Sequence, residues 1–205
     1  MFLTDWLQVK MKKYLSLDLE LNNGPETEKP KIIQVGICIA DLGAPTSEWL
    51  VKKWYLDPQE PIFEFIVGLT GITDQDIAMH AVSHDQMAAE LSALIVEHDI
   101  FINPVVWGGG DSSELLEEIK ERNIHFPHFG RRWIDIKTIH TFLSIANNKN
   151  PSGGLSSVMG QYKIRFEGKA HRADVDAFNT MKLFAHFVKR QSIVNNLIDI
   201  SKSLV

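Results

Sequence analysis

Between Lys13 and Leu21 the chain reads KYLSLDLEL, an unbroken alternation. Leu15, Leu17, Leu19 and Leu21 take one face of an extended strand, and Tyr14, Ser16, Asp18 and Glu20 take the other. Asp18 and Glu20 therefore look the same way, with Cα atoms roughly 6–7 Å apart, close enough to share one hard cation. An edge strand would leave both acids to solvent, but the continuous leucine face at the head of a sheet favours a central strand. Two like charges on a central strand repel and lose hydration, so they need a compensating partner.

Two more strand-like runs follow closely, at Lys31–Asp41 and Glu48–Leu56. Shorter ones come at Ile102–Trp107 and Trp133–Asp135. Helical periodicity predicts helices over Pro61–Leu69, Ser83–Glu97, Asp111–Arg122, Ile136–Ala146, Leu155–Gln161 and Ala173–Lys189. Strands first, then alternating helix and strand, read as an α/β chain with a mixed sheet and helices packed on it. In GITDQDI, Thr73 followed by Asp76 is an ordinary helix-capping pair.

The 205 residues, 44% hydrophobic and 23% charged, suit one domain with one sizeable core. Residues 1–12 read as an N-terminal extension, 13–190 as the functional domain and 191–205 as a helical tail. A single cysteine, Cys38 in the apolar run IIQVGICIA, excludes a disulfide framework and a Cys-rich zinc site and reads as a buried, inert thiol of a reducing cytoplasm. No run reaches the ~20 apolar residues of a membrane span. WGGGD matches neither the phosphate-cradling loop nor the dinucleotide fingerprint. A formal net charge of −5 argues against coating nucleic acid by bulk electrostatics. A local basic stretch, YKIRFEGKAHR, nevertheless carries Lys163, Arg165, Lys169 and Arg172, a candidate guide for a phosphate backbone or else a solvated edge.

That stretch runs into KAHRADVDAFNT, Lys169–Thr180. At about 100° per residue, Asp176 lies in line with Thr180, Leu183, Phe184 and Phe187, whereas Asp174 shares a wetter side with Lys182 and Lys189. A carboxylate on an apolar stripe raises the same question as Asp18 and Glu20. Asp111, where a buried strand gives way to a helix, is a further candidate, although alone it also reads as a helix cap. His171 opens the helix that carries Asp176. Acids from three separate elements converging on one place would make oxygen-ligand sites for Mg²⁺ or Mn²⁺.

DLE (Asp18, Glu20), WGGGDSS (Asp111) and HRADVDA (His171, Asp176), in this order and with these spacings, resemble the DEDDh family of 3′-to-5′ exonucleases. The likeness runs from about Lys13 to Lys189 and includes LTGITDQDI and FEGKAHRA. The Trp107-Gly108 lead into Asp111 is similar to the Eri and KapD exoribonuclease branch, while ELNN, Glu20 to Asn23, stands where many relatives have Glu-Thr-Thr-Gly. The resemblance implies a ribonuclease H-like fold, a mixed five-stranded sheet with three antiparallel strands first and two parallel strands after. It also implies two Mg²⁺ or Mn²⁺ ions held by Asp18, Glu20, Asp176 and, through water, Asp111, with His171 as general base. Glu20 and the backbone at Leu21 would meet the terminal 3′-hydroxyl; independently of the resemblance, the basic stretch offers Lys163 and Arg165 to the phosphates. The implied substrate is the 3′ end of single-stranded RNA or DNA, RNA favoured, with a proofreading or repair DNA exonuclease as the alternative. A non-catalytic nucleic-acid-binding module on the same fold is the alternative of another class.

Overall fold

The computed structural model describes residues 12–24, 29–127, 129–130 and 132–203. The expected N-terminal extension, apart from Lys12, lies outside the described residues. The leucine-faced stretch forms β1, Tyr14–Asn22. β2 is Lys31–Ala40 and β3 is Leu50–Leu56. Two short helices follow, α1 (Glu64–Thr70) and α2 (Asp74–His80), then β4 (Ala81–Val82) and α3 (His84–Glu97). The rest is β5 (Val105–Val106), α4 (Gly110–Glu121), β6 (Ile134–Asp135), α5 (Ile136–Ala146), α6 (Leu155–Gln161) and α7 (Ala173–Ser203). Among the described residues no helix is long and apolar enough to cross a membrane.

The strands form one sheet in the order β4-β3-β2-β1-β5-β6. β1, β2 and β3 pair antiparallel, and β5 and β6 join in parallel beyond β1. This is the expected mixed sheet with one strand more than the five read from sequence. β4 adds two residues parallel to the end of β3, with Tyr55 opposite Ala81 and Leu56 opposite Val82. A two-residue strand between two helices has no alternation to read. The expected α2 start is present as a capping box, with the Asp76 amide donating to Thr73 Oγ1 and the Thr73 amide donating to Asp76 Oδ2. α7 continues without a break from the expected domain into the expected tail.

β1 is central, with both faces covered. Leu15, Leu17 and Leu19 pack with Val35, Ile37 and Ile39 of β2 against Met87 and Leu91 of α3 and Leu115 and Ile119 of α4. The opposite face, through Cys38, Ala40 and Val105, packs on Ile136, α6 and the Ala177, Met181, Phe184 ridge of α7. Cys38 is fully buried, and burial pushes its thiol up to about 12. β2 carries one extra residue, Ile33, between the pairs Glu20–Gln34 and Leu21–Ile32. Such a bulge bends a strand and re-aims its side chains, here beside the acids of β1.

Candidate active site

α7 lands on the acid-bearing face of the sheet because β2 has no side chain there. Gly36 pairs with Asp18 on one side and Lys53 on the other. A Cβ at Gly36 would stand 2.0 Å from the carbonyl carbon of Ala173 and 2.2 Å from the Asp174 nitrogen. A glycine inside an apolar strand marks such a close backbone approach. Two neighbouring side chains fix the helix. Gln34 Oε1 accepts a 2.8 Å hydrogen bond from the Ala173 amide, serving one of the unpaired donors of the first turn. Ser16 Oγ, fully buried between the two acids and the start of the strand, donates to the Ala177 carbonyl at 2.6 Å.

With α7 seated in this way, its two aspartates diverge. Asp176 turns toward β1, and Asp18, Glu20 and Asp176 each place a carboxylate oxygen within 4.8 Å of the others. Asp176 Oδ2 also accepts from the His171 amide at 2.8 Å, and His171 is held in the left-handed region at φ 62°. Asp174 turns toward β3 and pairs with Lys53 at 2.9 Å. This corrects the sequence expectation of a wet Asp174 beside Lys182 and Lys189. Periodicity placed it on a different side from Asp176, but the neighbouring strand covers that side. Lys182 is engaged elsewhere, with Glu167 and the Arg165 carbonyl.

The apolar line through Thr180, Leu183, Phe184 and Phe187 is buried as expected. The acids it leads to are crowded. Burial first, then the charges of Asp111, Asp176 and Glu20, hold the Asp18 carboxyl well above its usual range. Burial, Asp176 and Asp111 push Glu20 up to about 8, against a lowering contribution from Arg172. Asp111 rises to about 7 through burial, Glu114 and Asp176. Asp176 rises by burial, opposed by its hydrogen bond from the His171 amide. Asp111 is not one of the three converging oxygens, but its field reaches all of them. It sits in the first turn of α4, whose cap is Gly109, so it is not the helix cap that its position allowed.

The shared direction of these shifts has a consequence for stability. Each acid keeps its proton to higher pH in the folded chain than in the unfolded one. The stability it contributes is complete below its unfolded value, near pH 4, and is lost as pH rises through the folded value, about 7 for Asp111 and about 8 for Glu20. In EDTA the Tm is therefore expected to fall by more than about 5 °C between roughly pH 5 and pH 9, with Mg²⁺ restoring most of the loss at the alkaline end. Thermal unfolding across that range checks this, and a Tm that is flat or rises with pH contradicts it.

A cleft of about 330 Å³ opens on the acids, lined by Asp18, Glu20, Asp176 and His171 and walled by Trp107, Leu155 and Phe166. Trp107 and Phe166 are aromatic walls that sequence alone did not single out, although both sit in the quoted motifs. The Leu21 side chain packs against the leucine-face core. Lys163 and Arg165 are exposed and do not line the cleft, and Arg172 donates instead to the Tyr55 hydroxyl. The donor set of three carboxylates, without thiolate or imidazole, whose like charges repel one another, fits a hard divalent ion.

The exonuclease family model RNase_T matches residues 15–184. Small RNA degrading nuclease 3 of Arabidopsis thaliana is 23% identical over 184 residues, 89% of this chain and 21% of that protein, so the chain spans about a fifth of that relative. Among solved structures, the nuclease domain of 3′hExo, a DEDDh family member bound to rAMP, superposes with a TM-score of 0.73 at 17% identity, covering 89% of this chain and 94% of that one. Cell-death related nuclease 4 (CRN-4) gives 0.74 at 18%, covering 88% and 64%. E. coli Exonuclease I in complex with a dT13 oligonucleotide gives 0.67 at 17%, covering 91% and 43%. These likenesses establish the ribonuclease H-like fold. With the family match spanning the strand that carries Asp18 and Glu20, Asp111 of α4, the motif histidine and Asp176 of α7, the chain belongs to the exonuclease family.

Proposed function

We propose that the chain is a metal-dependent 3′-to-5′ exonuclease that removes nucleoside 5′-monophosphates one at a time from single-stranded nucleic acid, RNA in preference to DNA. The observation that carries this reading is the convergence of Asp18, Glu20 and Asp176 in the cleft that His171 also lines. Asp18, Glu20 and Asp176, with Asp111 at longer range, would hold two Mg²⁺ or Mn²⁺ ions. Bound there, such ions supply positive charge against the scissile phosphate and its entering and leaving oxygens.

The remaining work belongs to the chain. His171 accepts a proton from the attacking water as its oxygen bonds to phosphorus. The P–O3′ bond breaks, the departing O3′ takes up a proton from solvent water, and the phosphate stays on the released nucleotide while the shortened strand is left with a 3′-hydroxyl. The exposure of the His171 imidazole, on a left-handed turn tied to Asp176 by its own amide, supports that role. Glu20 lies where it can receive the terminal hydroxyl, and Trp107 and Phe166 offer faces on which the last bases stack. A non-catalytic binding module on the same fold needs neither the buried acid cluster nor the histidine.

The preference for RNA rests on the resemblance to a small RNA degrading nuclease and to a nuclease domain bound to rAMP. The second reading, a DNA exonuclease, is favoured by the likeness to Exonuclease I with its DNA oligonucleotide. The catalytic unit is assigned to 13–190 and the remainder of α7 to a tail, which the family match over 15–184 supports. The buried Cys38 suits a reducing compartment such as the cytoplasm. Rates on matched RNA and DNA strands distinguish the two substrate readings. His171→Ala is expected to lower the rate by about 10²–10⁴-fold on either strand while metal affinity stays at the parent value. A His171→Ala enzyme at full rate removes the histidine from the mechanism.

A further inference from the structure

The turn that leads into α4 and the middle acid is held at its helix end, where Ser112 Oγ donates to the Gly109 carbonyl at 3.1 Å and Ser113 Oγ to the Gly110 carbonyl at 2.8 Å, while its strand end is glycine. After β5 comes Trp107, then Gly108, Gly109 and Gly110, the last of which opens α4. Added Cβ atoms at Gly109 and Gly110 would meet nothing within 4 Å, and Gly108 is in the left-handed region at φ 89°. Three consecutive glycines carry a high backbone entropy to be overcome on ordering. Among the described residues, one side chain from another element crosses to this loop. Asp135, paired with Val106 at the end of β6, accepts the Gly108 amide on Oδ1 at 2.9 Å. The same oxygen accepts the Lys137 and Thr138 amides at 2.9 and 3.3 Å, and Oδ2 accepts the Thr138 hydroxyl at 2.6 Å. A helix cap ordinarily serves only its own first turn. Asp135 caps α5 and also reaches across to the neighbouring loop.

We infer that Asp135 is a positioning residue for the metal site: by tying Gly108 to the start of α5 it fixes the loop between Trp107 and Asp111, holding the Asp111 charge toward Asp18 and Asp176 and Trp107 against the cleft. The inference rests on the proposed role of Asp111 in holding metal. It contributes no ligand, so its loss costs metal affinity through loop disorder. Hydrogen bonds made directly to metal ligands are worth roughly ten- to hundredfold in metal affinity, which sets the scale for Asp135, one step further out.

Three substitutions separate positioning from helix capping. Asp135→Ser keeps a side-chain cap for α5 but is too short to serve Gly108 as well. Asp135→Asn keeps an oxygen for Gly108. Asp111→Asn tests the underlying reading. Mn²⁺ affinity is measured by titration calorimetry without substrate, alongside Tm and the Mg²⁺ dependence of the rate. The expected result is a roughly ten- to hundredfold weaker Mn²⁺ affinity for Asp135→Ser with Tm within about 2 °C of the parent, and a rate recovered at high Mg²⁺. Asp135→Asn is expected to remain near the parent, and Asp135→Ser is expected to add nothing in the Asp111→Asn background. If Asp111→Asn weakens Mn²⁺ and Asp135→Ser does not, the inference is overturned while the site reading stands. If Asp111→Asn leaves Mn²⁺ affinity unchanged, the role of Asp111 itself fails, and this inference with it.

Discussion

Asp176→Asn is expected to lower nucleotide release to below about 10⁻³ of the parent rate while leaving the metal-free fold as stable as the parent or more so. The two effects have one cause. Asp176 is one of three carboxylates whose oxygens lie within 4.8 Å of one another, and an amide of the same shape removes a ligand and a repelling charge together. Near pH 8, where Glu20 is losing its proton, relief of repulsion is expected to raise Tm in EDTA, and added Mg²⁺ is expected to stabilise the variant less than the parent. Asp174→Ala is the neighbouring control. Its partner is Lys53, so it is expected to cost about 1 kcal/mol of stability and to leave turnover within a few-fold of the parent. Activity measured beside thermal unfolding decides the matter. An active Asp176→Asn, or a dead but well-folded Asp174→Ala, would place the site on the wrong side of α7.

The second large effect comes from a residue without a side chain. Gly36→Ala is expected to reduce activity at least about a hundredfold and to lower Tm by several degrees, because one methyl group would occupy the backbone of Ala173 and Asp174. α7 must lift or slide, the bonds from Gln34 and Ser16 to its first turn are stretched, and Asp176 withdraws from Asp18 and Glu20. Unlike Asp176→Asn, this change is expected to weaken Mg²⁺ binding and folding together. A stable, active Gly36→Ala would mean that the seat of α7 is not what assembles the acids.

These two residues also show how far the sequence could be read. Asp18 and Glu20 were legible because period-two alternation puts both on one face whatever lies around them. Asp176 was legible because a helix with an apolar stripe fixes the direction of each position on it. What alternation and periodicity lack is the partner of each face. The structure seats α7 on β2 at Gly36, and that contact sends Asp174 to Lys53, 121 residues away in the chain, rather than to Lys182. Gly36 was visible as a glycine in an apolar strand, a signal of close approach, but nothing local named what approaches. Ser16 and Gln34 carry no local sign of their partners for the same reason. Asp135 read as the end of a strand, and its reach to Gly108 depends on β5 and β6 being neighbours. The basic stretch through Lys163 and Arg165 was visible as composition, yet alternation within it turns Phe166 to the cleft and these two charges to solvent.

The central claim, that buried acids gathered under α7 hold metal to shorten strands from the 3′ end, is tested most directly with a single-stranded RNA labelled at its 5′ end. With Mg²⁺ the parent protein is expected to produce a ladder shortening by one nucleotide at a time while the label stays on the longest fragment, with nucleoside 5′-monophosphates as the released product. In EDTA, or with the 3′ end closed in a circular strand, no product is expected. Cleavage that persists in EDTA, early release of the label as a mononucleotide, or internal cutting of the circle would contradict the account.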